Sequence, residues 1–304
     1  MKLALKIDVD TFRGSREGVP RMVQTLRARR AGATFLFSLG PDHTGRAIRR
    51  VFRRGFAGKV ARTSVREHYG LKTLLYGTLL PGPDIGRRCA AELRAARDFG
   101  FEVGVHCWDH VRWQDGVVGA DAEWTVRELD AACSRFRELF GADASVHGAA
   151  GWQTNAHALR YLDQHRFAYA SDTRGSGPFL PAMGGQVFAC PQWPTTLPTL
   201  DEVVGVDGRT PLDAVRDILA LTAASRTAAH VFTAHAELEG GRLHGALEAL
   251  LAGWVDQGYN IVALRELATT RGAHELPVHE VVYGPVPGRS GTLALQGSEV
   301  RGAN

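Results

Sequence analysis

Several acids and histidines of this 304-residue sequence stand at the ends of apolar runs. Asp8 and Asp10, in KIDVDTF, stand two apart at the end of the first run. Side-chain alternation along a strand sends both to one face. Two carboxylates held together repel, and protonation of one, or a cation beside them, relieves the repulsion. Solvated acids at a strand end are the simpler reading of such a pair alone. His106 and His110, in HCWDH, follow FEVGV. Their spacing puts two imidazoles on one helical turn, aimed at one point, as in many zinc sites. Twelve histidines also allow chance pairs, and Trp108 between them reads as packing. His235, in VFTAHAELEG, closes a further apolar run, where a buried structural histidine is the competing reading. Asp172, in YASDTRG with Arg174, has turn formation as its plainer role. Ala149-Ala150-Gly151-Trp152 reads either as part of a site or as a tight turn with a core tryptophan.

These clusters need a frame, and the chain supplies one. Strand-like runs cover residues 2–9, 33–39, 101–106, 146–152, 167–171, 228–234 and 259–264. Between them lie helical runs at 20–30, 84–99, 121–140, 155–164, 211–224 and 243–257, with Asp84 as an N-cap and Thr210-Pro211 as a cap followed by proline. Strands alternating with helices imply βαβ units and a parallel sheet. About seven such units favour an α/β barrel of parallel strands over two separate domains. Barrel enzymes build their sites at the C-terminal strand ends, where five clusters lie here. The barrel is expected over residues 1–275, with an insertion at about 46–81, and the Gly- and Pro-rich residues 276–304 as a mostly irregular tail.

Composition narrows the class. Hydrophobic residues make up 44% and charged residues 22%, as in globular proteins. No run is long and apolar enough to span a membrane. Residues 1–10 read as a strand and not as a signal peptide, so a cytoplasmic location is expected. Cys89, Cys107, Cys133 and Cys190 show no CxxC pair and fit reduced thiols. The net charge of +4 is mild, but its distribution is uneven. Residues 46–66 carry Arg46, Arg49, Arg50, Arg53, Arg54, Lys59, Arg62 and Arg66 with no acid, interleaved with Ile48, Val51, Phe52, Phe56 and Val60. A basic amphipathic helix of this kind suits an anionic lipid surface. Apolar LKTLLYGTLLP follows. A solvated helix packed on the barrel is the alternative. Nucleic-acid binding by the arginines would leave the strand-end acids and histidines unexplained, so no nucleic-acid partner is expected.

In order and type, the acidic motif, HxxxH, the small-residue and aromatic motif, the strand-five Asp and the late His resemble the NodB-type polysaccharide deacetylases. The resemblance spans residues 2–267. IDVDTFRGSREGVPR, SLGPDHTGR, YGTLLPGPDIG, HCWDH, AAGW, SDTRG, LPTLDEV and HAELEG are similar to one branch in particular. Its members are deformylases of undecaprenyl-phosphate-linked 4-deoxy-4-formamido-L-arabinose, in the pathway that attaches aminoarabinose to lipid A and gives resistance to cationic peptides such as polymyxin. The resemblance implies a distorted (β/α) barrel of the NodB kind, formamide hydrolysis, one divalent metal (Zn, Co or Mn), and a polyprenyl-phosphate-linked amino sugar as partner at the inner face of the inner membrane.

By motif, Asp10, His106 and His110 match the metal ligands, Asp8 the general base and His235 the general acid oriented by Asp172. The family's aspartates are adjacent, whereas one residue separates them here, so the roles of Asp8 and Asp10 are open to exchange. The fourth-strand motif of the family carries Arg and Pro where this chain has Ala149 and Gly151. Arg174 is then the candidate to hold the base. Gly151, Trp152 and Glu237 are assigned to the oxyanion and substrate pocket, with Glu239 a further candidate for the sugar or its amine, and Arg49, Arg50, Arg53 and Arg54 to lipid contact. A NodB-type deacetylase on another amino sugar is the alternative, and an inactive sugar-binding barrel a more distant one.

Overall fold

The structure is a computed structural model that describes residues 1–47, 73–225, 229–269 and 275–300. Residues 48–66 of the expected basic helix, Arg49, Arg50, Arg53 and Arg54 among them, lie outside the described residues. The frame is a parallel sheet of seven strands. These are β1 (Lys2–Val9), β2 (Thr34–Ser38), β3 (Glu102–Cys107), β4 (Val146–His147), β5 (Tyr169–Ala170), β8 (His230–His235) and β9 (Asn260–Val262). Their order is β5-β4-β3-β2-β1-β8, with β9 also pairing β1. The first strand is therefore central: Leu3 to Asp8 pair with β8, while Lys6 to Val9 pair with β2.

Alternation sorts the side chains of β1 into two layers. Leu3, Leu5, Ile7 and Val9 pack with Val19, Met22 and Leu26 of helix α1 (Val19–Ala28) and with Leu247, Leu250 and Leu251 of a later helix. Ala4 packs on the opposite face with Leu36, Val146, Tyr169 and Val231. Burying a side chain such as Leu5 or Ile7 contributes about 1.5–3 kcal/mol. The inner row of β1 is thus Ala4, Lys6 and Asp8, climbing toward the end of the strand.

No ladder joins β5 to β8, and an irregular segment fills the seam. The Trp193 N–H donates to Ala170 O (2.7 Å), Thr195 N–H to Thr173 O (3.0 Å), and Thr196 N–H to Val231 O (3.1 Å). The seam makes the barrel distorted, as expected. Helix α2 (Ala122–Phe140) starts at Asp121 and α3 (Ala156–Gln164) at Asn155, each capped by its side chain. Helix α4 (Pro211–Ala224) follows the Thr210 cap and matches its expected span.

Two expectations need correction. The strands at 146–152 and 167–171 shrink to two residues each. The C-terminal residues are not mostly irregular: β10 (Val278–Gly284) and β11 (Leu293–Glu299) form an antiparallel pair. They join β6 (Leu180–Met183) and β7 (Gln186–Val187) in a second sheet ordered β11-β10-β6-β7. Val281 and Ala294 bury themselves there against Phe179, Phe188 and Leu159. The glycines and prolines of GPVPGRSG mark the connection between two strands, not a loose tail.

Candidate active site

Asp10, His106 and His110 each present a ligand atom within 4.8 Å of the others. His106 Nε2 lies 3.2 Å from Asp10 Oδ1, and His110 Nε2 lies 3.3 Å from Asp10 Oδ2. The two histidines do not share a helical turn. His106 sits within β3 and His110 opens the helix His110–Gly116. The Asp109 carboxylate caps that helix by accepting from Arg112 N–H at 3.1 Å. His106 Nδ1 donates to the Gly148 carbonyl at 2.6 Å. A carbonyl only accepts, so in the neutral ring Nε2 carries the lone pair. That lone pair faces a carboxylate oxygen that is buried and has no hydrogen-bond partner. Two acceptors face to face call for a positive charge between them, a metal cation or a proton on Nε2; burial opposes that proton, but Asp8 and Asp10 outweigh it and push the His106 pKa up. Two imidazoles and one carboxylate, with one ring tied to a backbone carbonyl, fit a divalent transition metal.

Burial alone would raise the Asp10 carboxyl, but His110 and His106 outweigh it and hold it well below the usual carboxylate range. Its backbone is fixed by Glu237, whose Oε1 accepts from Asp10 N–H (3.0 Å) and Thr11 N–H (2.7 Å). Glu237 is buried with these bonds and so braces the Asp10 loop, in place of the substrate contact expected of it. Burial, and then the Asp10 charge, pushes its carboxyl well up. Gly14 makes room, since a Cβ there would stand 2.7 Å from Glu237 Oε1.

Asp8 lies below the triad. Its Oδ2 is 3.3 Å from the ammonium of fully buried Lys6, while its Oδ1 is buried without a hydrogen-bond partner and 3.9 Å from His106 Nδ1. Lys6 also donates to Ser171 O (3.1 Å) and sits 5.2 Å over the Trp152 ring. The sequence reading missed Lys6, although KIDVD places it on the same face as Asp8 by period two. Arg174, expected beside the base, instead donates to Glu202 Oε1 (2.5 Å) and Leu197 O (3.0 Å).

His235 ends β8 opposite Asp8 in register. Asp172 does not orient it. The Asp172 Oδ1 binds His147 Nδ1 (2.7 Å) and accepts from Ala149 N–H (2.8 Å), and burial is outweighed by His147 in keeping Asp172 ionised at lower pH than usual. The carboxylate near His235 belongs to Asp201 of LPTLDEV, whose Oδ1 is 3.7 Å from His235 Nδ1. Burial opposes the Asp201 charge, but Arg289 and His235 together lower its carboxyl. The Trp152 ring meets His235 edge-on at 6.1 Å. Gly151 and Trp152 both have positive φ, 63° and 50°. For Trp152 this is strained backbone, and its Nε1 donates to Thr195 Oγ1 at 3.2 Å. Its backbone N–H is engaged by Ala149 O (3.0 Å), so it is no oxyanion donor.

Glu239 supports His235 from the other side, its Oε2 accepting from the His235 backbone N–H at 2.8 Å. Burial pushes its carboxyl up from 4.5 to about 7. The unfolded chain therefore releases this proton first as pH rises. Stability declines between pH 4.5 and about 7, and the loss is complete above that. Glu239→Gln should flatten this window and raise stability at pH 8 by about 2–3 kcal/mol. Urea unfolding of both proteins at pH 5 and pH 8 checks it, and equal slopes with pH in the two would refute it.

No family model matches the chain. It is 34% identical over 302 residues, covering 98% of this chain and 96% of the relative, to "Probable 4-deoxy-4-formamido-L-arabinose-phosphoundecaprenol deformylase ArnD" of Shewanella sediminis (strain HAW-EB3). A relative of the same name from Wigglesworthia glossinidia brevipalpis is 30% identical, with 93% and 98% covered. Among solved structures, a Mycobacterium smegmatis protein assigned as a polysaccharide deacetylase superposes with a TM-score of 0.62 at 16% identity, covering 94% of this chain and 96% of that one. A family 4 acetyl xylan esterase from Clostridium thermocellum, in complex with a cobalt ion, superposes with a TM-score of 0.51 at 12% identity, covering 88% and 91%. The likeness to these structures establishes the fold of the NodB-type, or CE4, deacetylases. Identity maintained over nearly the whole length of two curated relatives narrows this further: the chain belongs to the family of 4-deoxy-4-formamido-L-arabinose-phosphoundecaprenol deformylases.

Proposed function

We propose that this chain hydrolyses the formamide of undecaprenyl-phosphate-linked 4-deoxy-4-formamido-L-arabinose, giving formate and the 4-amino sugar on its lipid carrier. The observation that carries this reading is the triad of Asp10, His106 and His110, with a carboxylate oxygen and an imidazole lone pair facing each other. These three residues would hold one divalent ion, and Zn²⁺, Co²⁺ and Mn²⁺ suit the donor set. When bound, such an ion supplies Lewis-acid polarisation of the amide and makes water a nucleophile at neutral pH.

The protein's own groups do the rest. Asp8 takes the proton of the attacking water on Oδ1, the oxygen without a partner, while Lys6 fixes Oδ2. His235 gives a proton to the departing amine, with Asp201 behind its Nδ1 and Trp152 against its ring. The bond broken is the formyl C–N bond, and the bond formed joins water oxygen to the formyl carbon. Formate release from the formamido-sugar lipid tests this, with chelator expected to abolish it and added metal to restore it. Turnover unaffected by exhaustive chelation would overturn the metal's role.

The lipid carrier places the reaction at a membrane surface, which the arginines 49, 50, 53 and 54 are proposed to meet on the inner face of the inner membrane. Among the described residues no helix is long and apolar enough to cross a membrane. Co-sedimentation with vesicles containing anionic lipid should drop at least tenfold, about 1.4 kcal/mol, when the four arginines become glutamates. Equal binding would rule out this surface.

A further inference from the structure

The C-terminal hairpin carries one side chain into the site. Arg289, from the connection between β10 and β11, places Nη1 3.0 Å from Asp201 Oδ2 and Nε 2.8 Å from Glu202 Oε1. Its Nη2 lies 3.0 Å from Thr199 Oγ1, and the guanidinium stands 4.9 Å from the Trp152 ring centroid. Gly288 permits this approach. It has φ +81°, and a Cβ there would stand 2.2 Å from Glu202 O. Asp201 Oδ1 also accepts from Arg289 Nη2 (3.2 Å) and Thr199 Oγ1 (2.6 Å), and the same oxygen lies 3.7 Å from His235 Nδ1.

We propose that Arg289 is a positioning residue for the hydrolysis, locking Asp201 and Trp152 against the His235 imidazole. The proposal rests on the acid role given to His235 above. Asp201 stands on a helical turn of only four residues, Leu200–Val203, where Thr199 Oγ1 ties Oδ1 alone, and Arg289 adds the tie to Oδ2. A planar fork takes Asp201 and Glu202 together, which a lysine point charge does not reproduce. Arg174 Nη1 donates to the same Glu202 Oε1 at 2.5 Å, and its own guanidinium lies 5.1 Å from the Trp152 ring. The second sheet is thereby connected to the imidazole through two contacts, one ionic and one aromatic. Arg289 acts on orientation, so its loss should appear in kcat and spare KM.

The test uses the full chain loaded with metal, as Arg289→Met, Asp201→Asn, the double variant and Arg289→Lys, with metal content and melting temperature measured for each. Arg289→Met should lower kcat about tenfold while KM changes less than about twofold. Arg289→Lys should recover part of that loss. In the Asp201→Asn background the same Met substitution should add little, since residues acting through one contact are non-additive. Equal factors in both backgrounds, or a raised KM with kcat intact, would overturn the proposal. Imidazole ¹⁵N NMR of His235 provides an arm that needs no substrate. The Nδ1 resonance should move in Arg289→Met, and an unmoved resonance counts against positioning. If the wild type released no formate, the functional reading would fail on its own, while the NMR arm would still judge Arg289.

Discussion

His106→Ala should lose the divalent ion and the formate-releasing activity together. The ring it removes is a proposed ligand, oriented by the 2.6 Å bond from Nδ1 to Gly148 O. Loss of a residue that only orients a ligand typically costs 10–100-fold in metal affinity, and loss of the ligand itself should cost more than about 100-fold. Turnover should fall by about 10³-fold or more, corresponding to about 4 kcal/mol of transition-state stabilisation. Elemental analysis after dialysis, beside kinetics and circular dichroism, measures all three quantities. A folded, inactive variant that retained a full complement of metal would show that the ligand set is wrong.

His235→Ala should behave differently: full metal and little activity. The imidazole is not one of the three clustered ligands. It stands at the end of β8, beside Asp201 and against Trp152. An amine leaves only if it is protonated, and a positioned acid typically contributes about 10²–10⁴-fold. Turnover should fall by about that factor with metal content unchanged. Turnover equal to wild type would remove His235 from the acid role, and a parallel loss of metal would make it a ligand.

The frame and the convergence of Asp10, His106 and His110 were legible for physical reasons. Alternating apolar residues in KLALKIDV specify a strand with one face toward helices, and capping side chains at Asp84, Asp121, Asn155 and Thr210 locate helix starts. Acids and histidines at strand ends then converge because a barrel brings those ends together. Partners across the barrel were less accessible. The family motif pairs Asp172 with His235, but His147 stands one strand over on β4 and takes the Asp172 Oδ1. Asp201 and Arg289 lie in segments without strong periodicity, so nothing local marked them. LPTLDEV was noticed as a string, yet only the fold shows that its aspartate faces the histidine. Lys6 was overlooked for another reason: a lysine in an apolar run reads as a solvated end, whereas here two carbonyl or carboxylate oxygens and an aromatic ring surround it.

The central place of β1 has a consequence for biosynthesis. This strand is made before the rest of the sheet, and β8, its neighbour along Leu3 to Asp8, follows more than two hundred residues later. Until then one edge of β1 presents unpaired backbone groups, a template for wrong pairing. An incomplete chain also lacks the Ser171 carbonyl and the Trp152 ring for Lys6 until those residues emerge. Nascent chains that stall before residue 235 should therefore be the species that chaperones hold and proteases remove.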